Sequence, residues 1–290
     1  MKTKILILLF VFFVFRLPAQ KIIPPPNVQP SWSQPFAPFH IVGNLYYVGT
    51  YDLASYLIVT KAGNILINTG LAESAPLIKK NIETLGFRLR DIKILLTTQA
   101  HYDHVGAMAE LKALTRASMM TLQGDVAVLA DGGNSDYVFG GKGSTFKPVK
   151  TDRVLRDKDL ITLGETTLTV HNSAGHTKGS TSFSFPVKEG NKTYTVLIAN
   201  MPTILDDVKL AGMPGYRDVA KDFAATFSSL KKMKFDIFLA SHASQFGLHE
   251  KYKAGDAYDP ERFADHGMFL TNLAALEEIY KARLRKEGIR

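Results

Sequence analysis

Short apolar runs separated by polar turns recur along most of this chain, and they predict strands. Three of them, LYYVG, ASYLIVT and NILINTG, lie between residues 45 and 70 and are separated by turns that contain glycine. β-Branched and aromatic residues in such short runs are typical of strands. Later runs predict further strands at residues 92–96, 166–173, 181–187, 193–200 and 236–240.

Other stretches repeat their apolar residues every three or four positions, which predicts helices. These stretches are residues 74–85, 107–114, 218–232 and 260–287. In the last one, Leu270, Leu273, Leu276 and Ile279 form a stripe that we expect to pack on the body of the protein. The basic residues near its end leave open a role at a membrane surface.

Strand runs alternate with single helices in both halves of the chain. This alternation predicts an α/β fold, an αβ/βα four-layer sandwich in which two packed mixed sheets carry helices on their outer faces. Polar residues that follow strands in such folds gather at the carboxyl end of the sheet, where ligands bind. Residues 132–147 are rich in glycine, and we expect them to form a mobile loop that covers a substrate.

The start of the chain has the pattern of an export signal. Lys2 and Lys4 precede an apolar run that ends before Arg16, and the small residue Ala19 follows. We expect a signal peptide at residues 1–19 and a periplasmic protein with no stable membrane anchor after cleavage. The apolar run is shorter than the roughly 20 residues that span a bilayer, although an uncleaved anchor is the alternative.

Prolines crowd the stretch that follows, so we expect residues 20–39 to lie extended on the surface and residues 40–290 to form a single domain. The net charge of the whole chain is +8, without the blocks of lysine and arginine that mark nucleic-acid binding. The chain has no cysteine, which excludes a disulfide framework and thiolate metal ligands. Any metal must therefore be held by nitrogen and oxygen donors, a set more typical of catalytic than of structural zinc.

Three polar clusters carry the chemistry. Gln99, His101, Asp103 and His104 follow one predicted strand, and two more clusters, AGHTKG with His176 and ASHAS with His242, also follow strands. Since one mouth of the sandwich can collect all three clusters, they predict a zinc site made of imidazoles and one carboxylate. We assign ordinary structural roles to the remaining histidines, which are His40, His171, His249 and His266.

The segment TTQAHYDHVGA resembles the HxHxDH signature of the metallo-β-lactamase superfamily, with Gln99 in place of the first histidine. The segments GTYDLASYLIVT, NILINTG, GHTKGS and SHASQF are similar to the third subclass of class B β-lactamases. The pairing of Gln99 with Met201 is similar to its GOB-type members. The HxHxDH core itself is shared with glyoxalase II, lactonases and RNA-processing nucleases.

The resemblance implies a first metal position at Gln99, His101 and His176, and a second at Asp103, His104 and His242. It places Met201 and Thr203 at the substrate, with Thr203 near the substrate carboxylate; Tyr51 follows a strand and is a further candidate. Neither Met201 nor Asn200 supplies the bridging carboxylate of glyoxalase II. Since an amide oxygen is a weaker zinc donor than imidazole, we expect one or two zinc ions per chain, the second position being the tighter.

The implied function is hydrolysis of the β-lactam amide bond by a zinc-bound hydroxide, with Asp103 as ligand and orienter of the water. Penicillins, cephalosporins and carbapenems are the expected substrates, and antibiotic resistance is the expected consequence. The alternatives are hydrolysis of another ester, thioester or lactone on the same scaffold, and a zinc-binding protein without turnover. We expect a small-molecule substrate, no nucleic acid and a monomer.

Overall fold

The structure is a computed structural model, and it describes residues 22–289. The expected signal peptide, residues 1–19, lies outside the described residues. From Ile22 to Pro38 the chain is mostly without regular structure but contains one helical turn, α1 (Pro30–Ser33). The expectation that this segment lies extended is wrong at this turn, because Pro30 occupies the first helical turn, where a missing N–H costs no hydrogen bond.

Seven strands form the first sheet, and they lie in chain order. The first four pair antiparallel and the last four, from β4 onward, pair parallel. The strands are β1 (Phe39–Val42), β2 (Leu45–Tyr47), β3 (Tyr56–Thr60), β4 (Gly63–Ile67), β5 (Ile92–Leu96), β6 (Ser118–Leu122) and β7 (Arg153–Leu155).

Five strands form the second sheet, in the order β12-β11-β10-β9-β8. All neighbours pair antiparallel except β11 and β12, which are parallel, so β9, β11 and β12 run in one direction. The strands are β8 (Leu160–Leu163), β9 (Thr166–Asn172), β10 (Thr181–Glu189), β11 (Lys192–Ala199) and β12 (Ile237–Ala240).

Helices follow or connect these strands. They are α2 (Ala75–Thr84), α3 (Tyr102–Val105), α4 (Met108–Thr115), α5 (Val126–Ala130), α6 (Val219–Leu230), α7 (Leu248–Lys251) and α8 (His266–Lys286). Short 3₁₀ turns lie at Ala72–Ser74, Leu89–Asp91, Gln123–Asp125 and Ala243–Phe246.

The alternation of side chains along β4 builds two cores. Ile65 and Ile67 belong to the cluster that joins the facing sheets, whereas Leu66 packs in a second cluster with Ile78 and Ile82 of α2. This two-residue period is what a strand covered on both faces requires. Helices α6 and α8 pack on the other side, against the second sheet, so the four-layer sandwich is confirmed.

The last helix departs from its predicted stripe. It begins at His266 rather than at residue 260, and its buried side chains are Phe269, Leu273 and Tyr280. Leu270 and Ile279, expected inside, are exposed by 44% and 51%. Phenylalanine and tyrosine bury more area than leucine, and their positions set the rotation of the helix. Among residues 22–289 no helix is long and apolar enough to cross a membrane.

Candidate metal centre

The carboxyl ends of four strands meet at one mouth of the sandwich. Residues 99–104 follow β5, His176 follows β9, Met201 follows β11 and His242 follows β12. The first sheet therefore contributes one cluster and the second sheet contributes the rest. The three predicted clusters come together here, as their placement after strands implied.

The predicted second position is a compact group. Asp103, His104 and His242 offer donor atoms that all lie within 4.8 Å of one another, and they are the one such cluster among residues 22–289. Asp103 Oδ2 lies 3.1 Å from His104 Nε2 and 3.5 Å from His242 Nε2. In the described part of the chain, His104 Nδ1 is buried without a hydrogen-bond partner, and the Asp103 carboxylate is the one polar group beside Nε2, in a geometry too poor for a good hydrogen bond. Burying this imidazole is costly unless a cation binds at Nε2.

The predicted first position lies beside it. His101 Nδ1 is 3.1 Å from His176 Nε2 and 3.4 Å from Gln99 Nε2. All three side chains are buried, at 3–7% exposure. These six predicted ligands thus form two adjacent groups of three.

Outer partners fix which nitrogen of each imidazole carries the proton. The carbonyl oxygen of Thr203 lies 2.8 Å from His176 Nδ1, and Asp52 Oδ2 lies 3.0 Å from His242 Nδ1, so each Nδ1 donates outward. His101 Nε2 faces Asp136 Oδ2 at 3.3 Å. Asp136 raises the pKa of His101 despite its burial, so either one proton or one cation between His101 Nδ1 and His176 Nε2 satisfies both nitrogens. The residues present fit zinc.

The electrostatics of the site favour a positive charge at the second position. Burial alone would lower the pKa of His242, yet the carboxylates of Asp103 and Asp52 raise it to about 9. Burial likewise opposes ionisation of Asp103, but His104 and His242 hold the pKa of its carboxyl well below the usual value. At the first position, burial and the neighbouring His101 lower the pKa of His176 to about 3, which keeps the imidazole neutral and able to donate its lone pair.

A pocket of about 320 Å³ opens over both groups. Trp32, Tyr102 and Phe139 form an aromatic wall, and Thr203 and Ser244 bring hydroxyl groups to the other side. Its full lining is Asn27, Trp32, Gln99, His101, Tyr102, Asp103, Phe139, His176, Thr203, Leu205, His242, Ser244 and Gln245.

Two expected substrate residues lie outside this lining. Met201 lines a neighbouring groove of about 260 Å³ that shares Thr203, Ser244 and Gln245 with the pocket. The ring of Tyr51 stacks on His249 with 3.6 Å between centroids and also contacts Phe36. The geometry does not support Tyr51 as a substrate contact, because its side chain is held among these aromatic rings away from the pocket.

Sequence reasoning assigned no role to Trp32 and considered Asp52, beside Tyr51, either for the pocket lining or for packing and turn hydrogen bonds; both Asp52 and Trp32 contact residues of the site. Asp52 contacts His242, accepts from Ser244 N at 3.0 Å and from Trp32 Nε1 at 3.2 Å. Trp32 comes from the proline-rich segment, which Tyr102 holds through a hydrogen bond from its hydroxyl to Pro26 O. The sequence carries no signal for these contacts, since they join segments that are distant along the chain.

The glycine-rich residues 132–147 lie beside the pocket but are anchored. Asp136 Oδ1 accepts the backbone N–H groups of Val138 and Phe139, and the Tyr137 hydroxyl lies 3.0 Å from the carbonyl oxygens of Gly175 and His176. Phe146 is buried at the far end of the segment. The segment thus places Phe139 against His101 and holds the loop of His176 in position. These contacts do not fit the expected mobile loop over the pocket.

Comparisons with known proteins agree with this geometry. The family model of the metallo-beta-lactamase superfamily matches residues 50–189. A beta-lactamase from Chitinophaga pinensis is 53% identical with a TM-score of 0.90, covering 91% of this chain and 100% of that one. The class B3 di-zinc metallo-beta-lactamase LRA-12 from an Alaskan soil metagenome is 54% identical (TM-score 0.89; 90% and 100% covered). The metallo-beta-lactamase GOB-18 from Elizabethkingia meningoseptica is 54% identical (TM-score 0.91; 92% and 99% covered).

One further relative is named for a different activity from that of the structural matches. A hydroxyacylglutathione hydrolase from Pelagibacter ubique is 42% identical over 78 residues, which are 26% of this chain. The chain spans only 29% of the length of that protein. The match is therefore local, in contrast to the structural matches over nearly the whole of both chains.

Proposed function

The chain belongs to the metallo-beta-lactamase superfamily. From this membership, and from the names of its class B3 relatives, we propose that it is a zinc-dependent hydrolase of the β-lactam amide bond. The observation that carries the proposal is the convergence of inward-facing imidazole lone pairs and one carboxylate under a pocket of about 320 Å³. Such a pocket is at the lower end of the range for small-molecule sites.

We propose that Gln99, His101 and His176 hold one zinc position and that Asp103, His104 and His242 hold the other. Zinc bound by this set supplies a water activated at neutral pH and a Lewis acid for the departing nitrogen. The second set has a carboxylate and two imidazoles, whereas the first has a neutral amide beside its two imidazoles. The second position should therefore bind zinc more tightly.

Asp103 is the proposed catalytic residue of this set. Its Oδ2 faces both His104 and His242, and its low pKa keeps the carboxylate ionised, so it can bind the cation and accept a hydrogen bond that would orient the water. Replacing it as Asp103→Asn preserves the shape but removes the charge. We expect hydrolysis to fall by at least about a hundredfold; full hydrolysis with zinc still bound would contradict the role.

The walls of the pocket suggest how the substrate lies. We propose that the Thr203 hydroxyl, in the pocket lining, binds the substrate carboxylate, and that Met201 lines the groove next to it. The aromatic wall of Trp32, Tyr102 and Phe139 excludes water from the reacting bond. Penicillins, cephalosporins and carbapenems share the strained lactam that this arrangement would open, and their loss would confer antibiotic resistance.

The deciding experiment is hydrolysis of a panel of lactams by the purified protein, with and without a chelator, alongside a zinc count. We expect turnover that EDTA abolishes and zinc restores. Lactam hydrolysis that EDTA leaves unchanged would overturn the proposal.

A thioesterase activity is the second candidate, because of the local match to a hydroxyacylglutathione hydrolase. Met201 and the buried Asn200 at the end of β11 carry no carboxylate that could bridge two metal ions, which disfavours it. Faster cleavage of a glutathione thioester or an acyl-homoserine lactone than of any lactam would favour this second class.

We also propose that the protein is exported to the periplasm, is cleaved after Ala19 and acts as a monomer. The domain division at residues 19 and 39 rests on the sequence. N-terminal sequencing of the protein from a periplasmic extract and light scattering of the purified chain test these statements; a start other than Gln20 or a dimer mass would refute them.

A further inference from the structure

A buried asparagine contacts the glutamine of the first metal position. Asn200 follows β11 and its side chain is fully buried. Its Nδ2 donates to the carbonyl oxygen of Thr98 at 2.9 Å and to Gln99 Oε1 at 2.7 Å. Its backbone N–H is fixed in turn by the hydroxyl of Ser182 at 2.9 Å. The asparagine therefore has little freedom to move.

These contacts decide how the Gln99 amide is turned. The carbonyl oxygen of Thr98 can only accept a hydrogen bond, so the Asn200 amide must present its nitrogen on that side. The atom of Gln99 that meets this nitrogen is then its oxygen. The Gln99 nitrogen is left on the side of the histidine pair, 3.4 Å from His101 Nδ1.

An amide nitrogen has no lone pair to give to a metal, so the observed orientation leaves the first position with two donors. Rotating the Gln99 amide by half a turn would bring its oxygen inward, but its nitrogen would then face the nitrogen of Asn200. Two donors cannot satisfy each other in a buried site. Asn200 cannot rotate in compensation, since its oxygen would then meet the Thr98 carbonyl.

We propose that Asn200 is a positioning residue that holds the Gln99 amide with its oxygen away from the first metal position, so that zinc binds there only by breaking the Asn200–Gln99 hydrogen bond. The inference rests on the zinc ligands given under Proposed function. It makes the weakness of the first position a property of two residues, the glutamine and the asparagine that orients it.

The test is a zinc titration of the metal-free full chain against a chromophoric chelator, fitted to two positions. Asn200→Ala leaves space for a water that can accept or donate, so it removes the preference for one amide orientation. We expect the affinity of the first position to rise about tenfold, which corresponds to about 1.4 kcal/mol, with the second position unchanged. Asn200→Leu, which keeps the volume and lacks the donor, should raise it in the same direction and covers the case in which the alanine variant does not fold.

The effect must depend on Gln99. In a Gln99→His background there is no amide to orient, so Asn200→Ala should change the first affinity by less than about threefold. An equal rise in both backgrounds, or no rise with Gln99 present, overturns the inference.

Asn68 provides the matched control. It is also a buried amide at this edge and accepts from Thr98 N at 2.9 Å, but it does not contact Gln99. Its φ of 61° suits glycine, so Asn68→Gly removes the side chain without backbone strain. A tenfold rise in Asn68→Gly as well would show general loosening and would contradict the role of Asn200.

The same titration separates this inference from the function on which it depends. If Gln99→His gains no second zinc ion, the proposed ligand set itself is wrong. If that variant gains the ion but Asn200→Ala and Asn200→Leu behave as the wild type, only the positioning role fails.

Discussion

Three of the four inward-facing histidines, His101, His176 and His242, have an outer partner, and that partner sets the direction of the inward lone pair. His176 has the Thr203 carbonyl and His242 has Asp52. Such contacts fix the tautomer and the ring plane and raise the basicity of the ligand. The consequence is that residues without direct access to a metal control its affinity.

Asp52 gives a direct test of this control. Asp52→Asn would weaken the hold on His242 Nδ1, and we expect zinc affinity at the second position to fall roughly 10- to 100-fold while the fold remains. Competition with a chelator measures it. The control is Asp152→Asn, a carboxylate that binds Met119 N and Lys112 far from the pocket and should leave zinc affinity unchanged; equal losses in both variants would refute the role of Asp52.

At this scale the sequence was sufficient to predict that the six proposed ligands lie together, and insufficient to predict their partners. Gln99, His101, Asp103 and His104 lie close together in a recognisable spacing, so their convergence with His176 and His242 could be predicted. Asp136 and Asn200 come from segments distant along the chain from the ligands that they contact, and no local pattern marks them. Tyr51 was misjudged because its neighbour Asp52 points into the site while its own ring stacks on His249.

At the scale of elements, one buried hydrogen bond joins the two sheets. The Tyr56 hydroxyl on β3 donates to the carbonyl oxygen of Ala240 at the end of β12, at 2.6 Å and fully buried. Ala240 lies two residues before His242, so this bond holds the end of the second sheet against the first. Eight of the twelve strands were predicted from the sequence, whereas β1, β6, β7 and β8 were missed because their runs are short or flanked by polar residues. The rotation of α8 was missed as well, since it depends on which large side chains fit the second sheet.

Removing this hydrogen bond should cost stability. Tyr56→Phe keeps the ring and leaves the carbonyl of Ala240 without this donor, so we expect a loss of about 1–2 kcal/mol in the free energy of unfolding. Urea denaturation at fixed zinc measures it. Tyr46→Phe is the matched control on β2, where the ring packs on His40 and Phe87 at the outer side of the sheet; a similar loss there would contradict the explanation.

Strand β9 carries a histidine that makes stability depend on pH. Burial and the neighbouring Lys158 lower the pKa of His171 to about 4, below its ordinary value of 6.5. The unfolded chain therefore binds a proton more readily than the folded chain between these values, and stability is full above pH 6.5 and falls as the pH drops towards 4.

The expected size is modest because His171 is partly exposed. The free energy of unfolding should fall between pH 7 and pH 4 in both proteins. In His171→Gln we expect this fall to be smaller than in the wild type by about 1–2 kcal/mol, after allowance for solvent screening. Denaturation of the zinc-free forms at several pH values measures the difference. Lys158→Gln should remove part of the same dependence, and parallel curves for wild type and His171→Gln would refute the assignment.

For the whole molecule, the metal centre joins its two halves. The loop after β5 belongs to the first sheet, whereas His176 and His242 follow strands of the second. A cation held by both should therefore stabilise the assembled sandwich and bind the unfolded chain much less well. The overall architecture was predictable, since the order of strands and helices leaves few arrangements open.

Zinc removal should lower the melting temperature. With zinc about a hundredfold above its Kd, binding contributes about 2.7 kcal/mol, which for a chain of this size corresponds to a shift of roughly 5–10 °C. Thermal unfolding with zinc, with EDTA and after zinc is restored measures it. A His104→Ala variant should show a smaller change in melting temperature on zinc removal. A wild-type melting temperature that is the same with and without EDTA would contradict the prediction.

The segment before the first strand, residues 22–38, forms part of the pocket, because Asn27 and Trp32 line it and Tyr102 binds Pro26. All twelve strands lie after it. Deleting the chain up to residue 33 would therefore leave the sandwich and its six donor side chains in place, while one side of the cavity would open to solvent. Because Trp32 also donates to Asp52, the partner of His242, the trimmed protein should change in substrate range and in zinc affinity at the second position together. An affinity tag fused to this segment beside Asn27 would, for the same reason, lie next to the bound substrate.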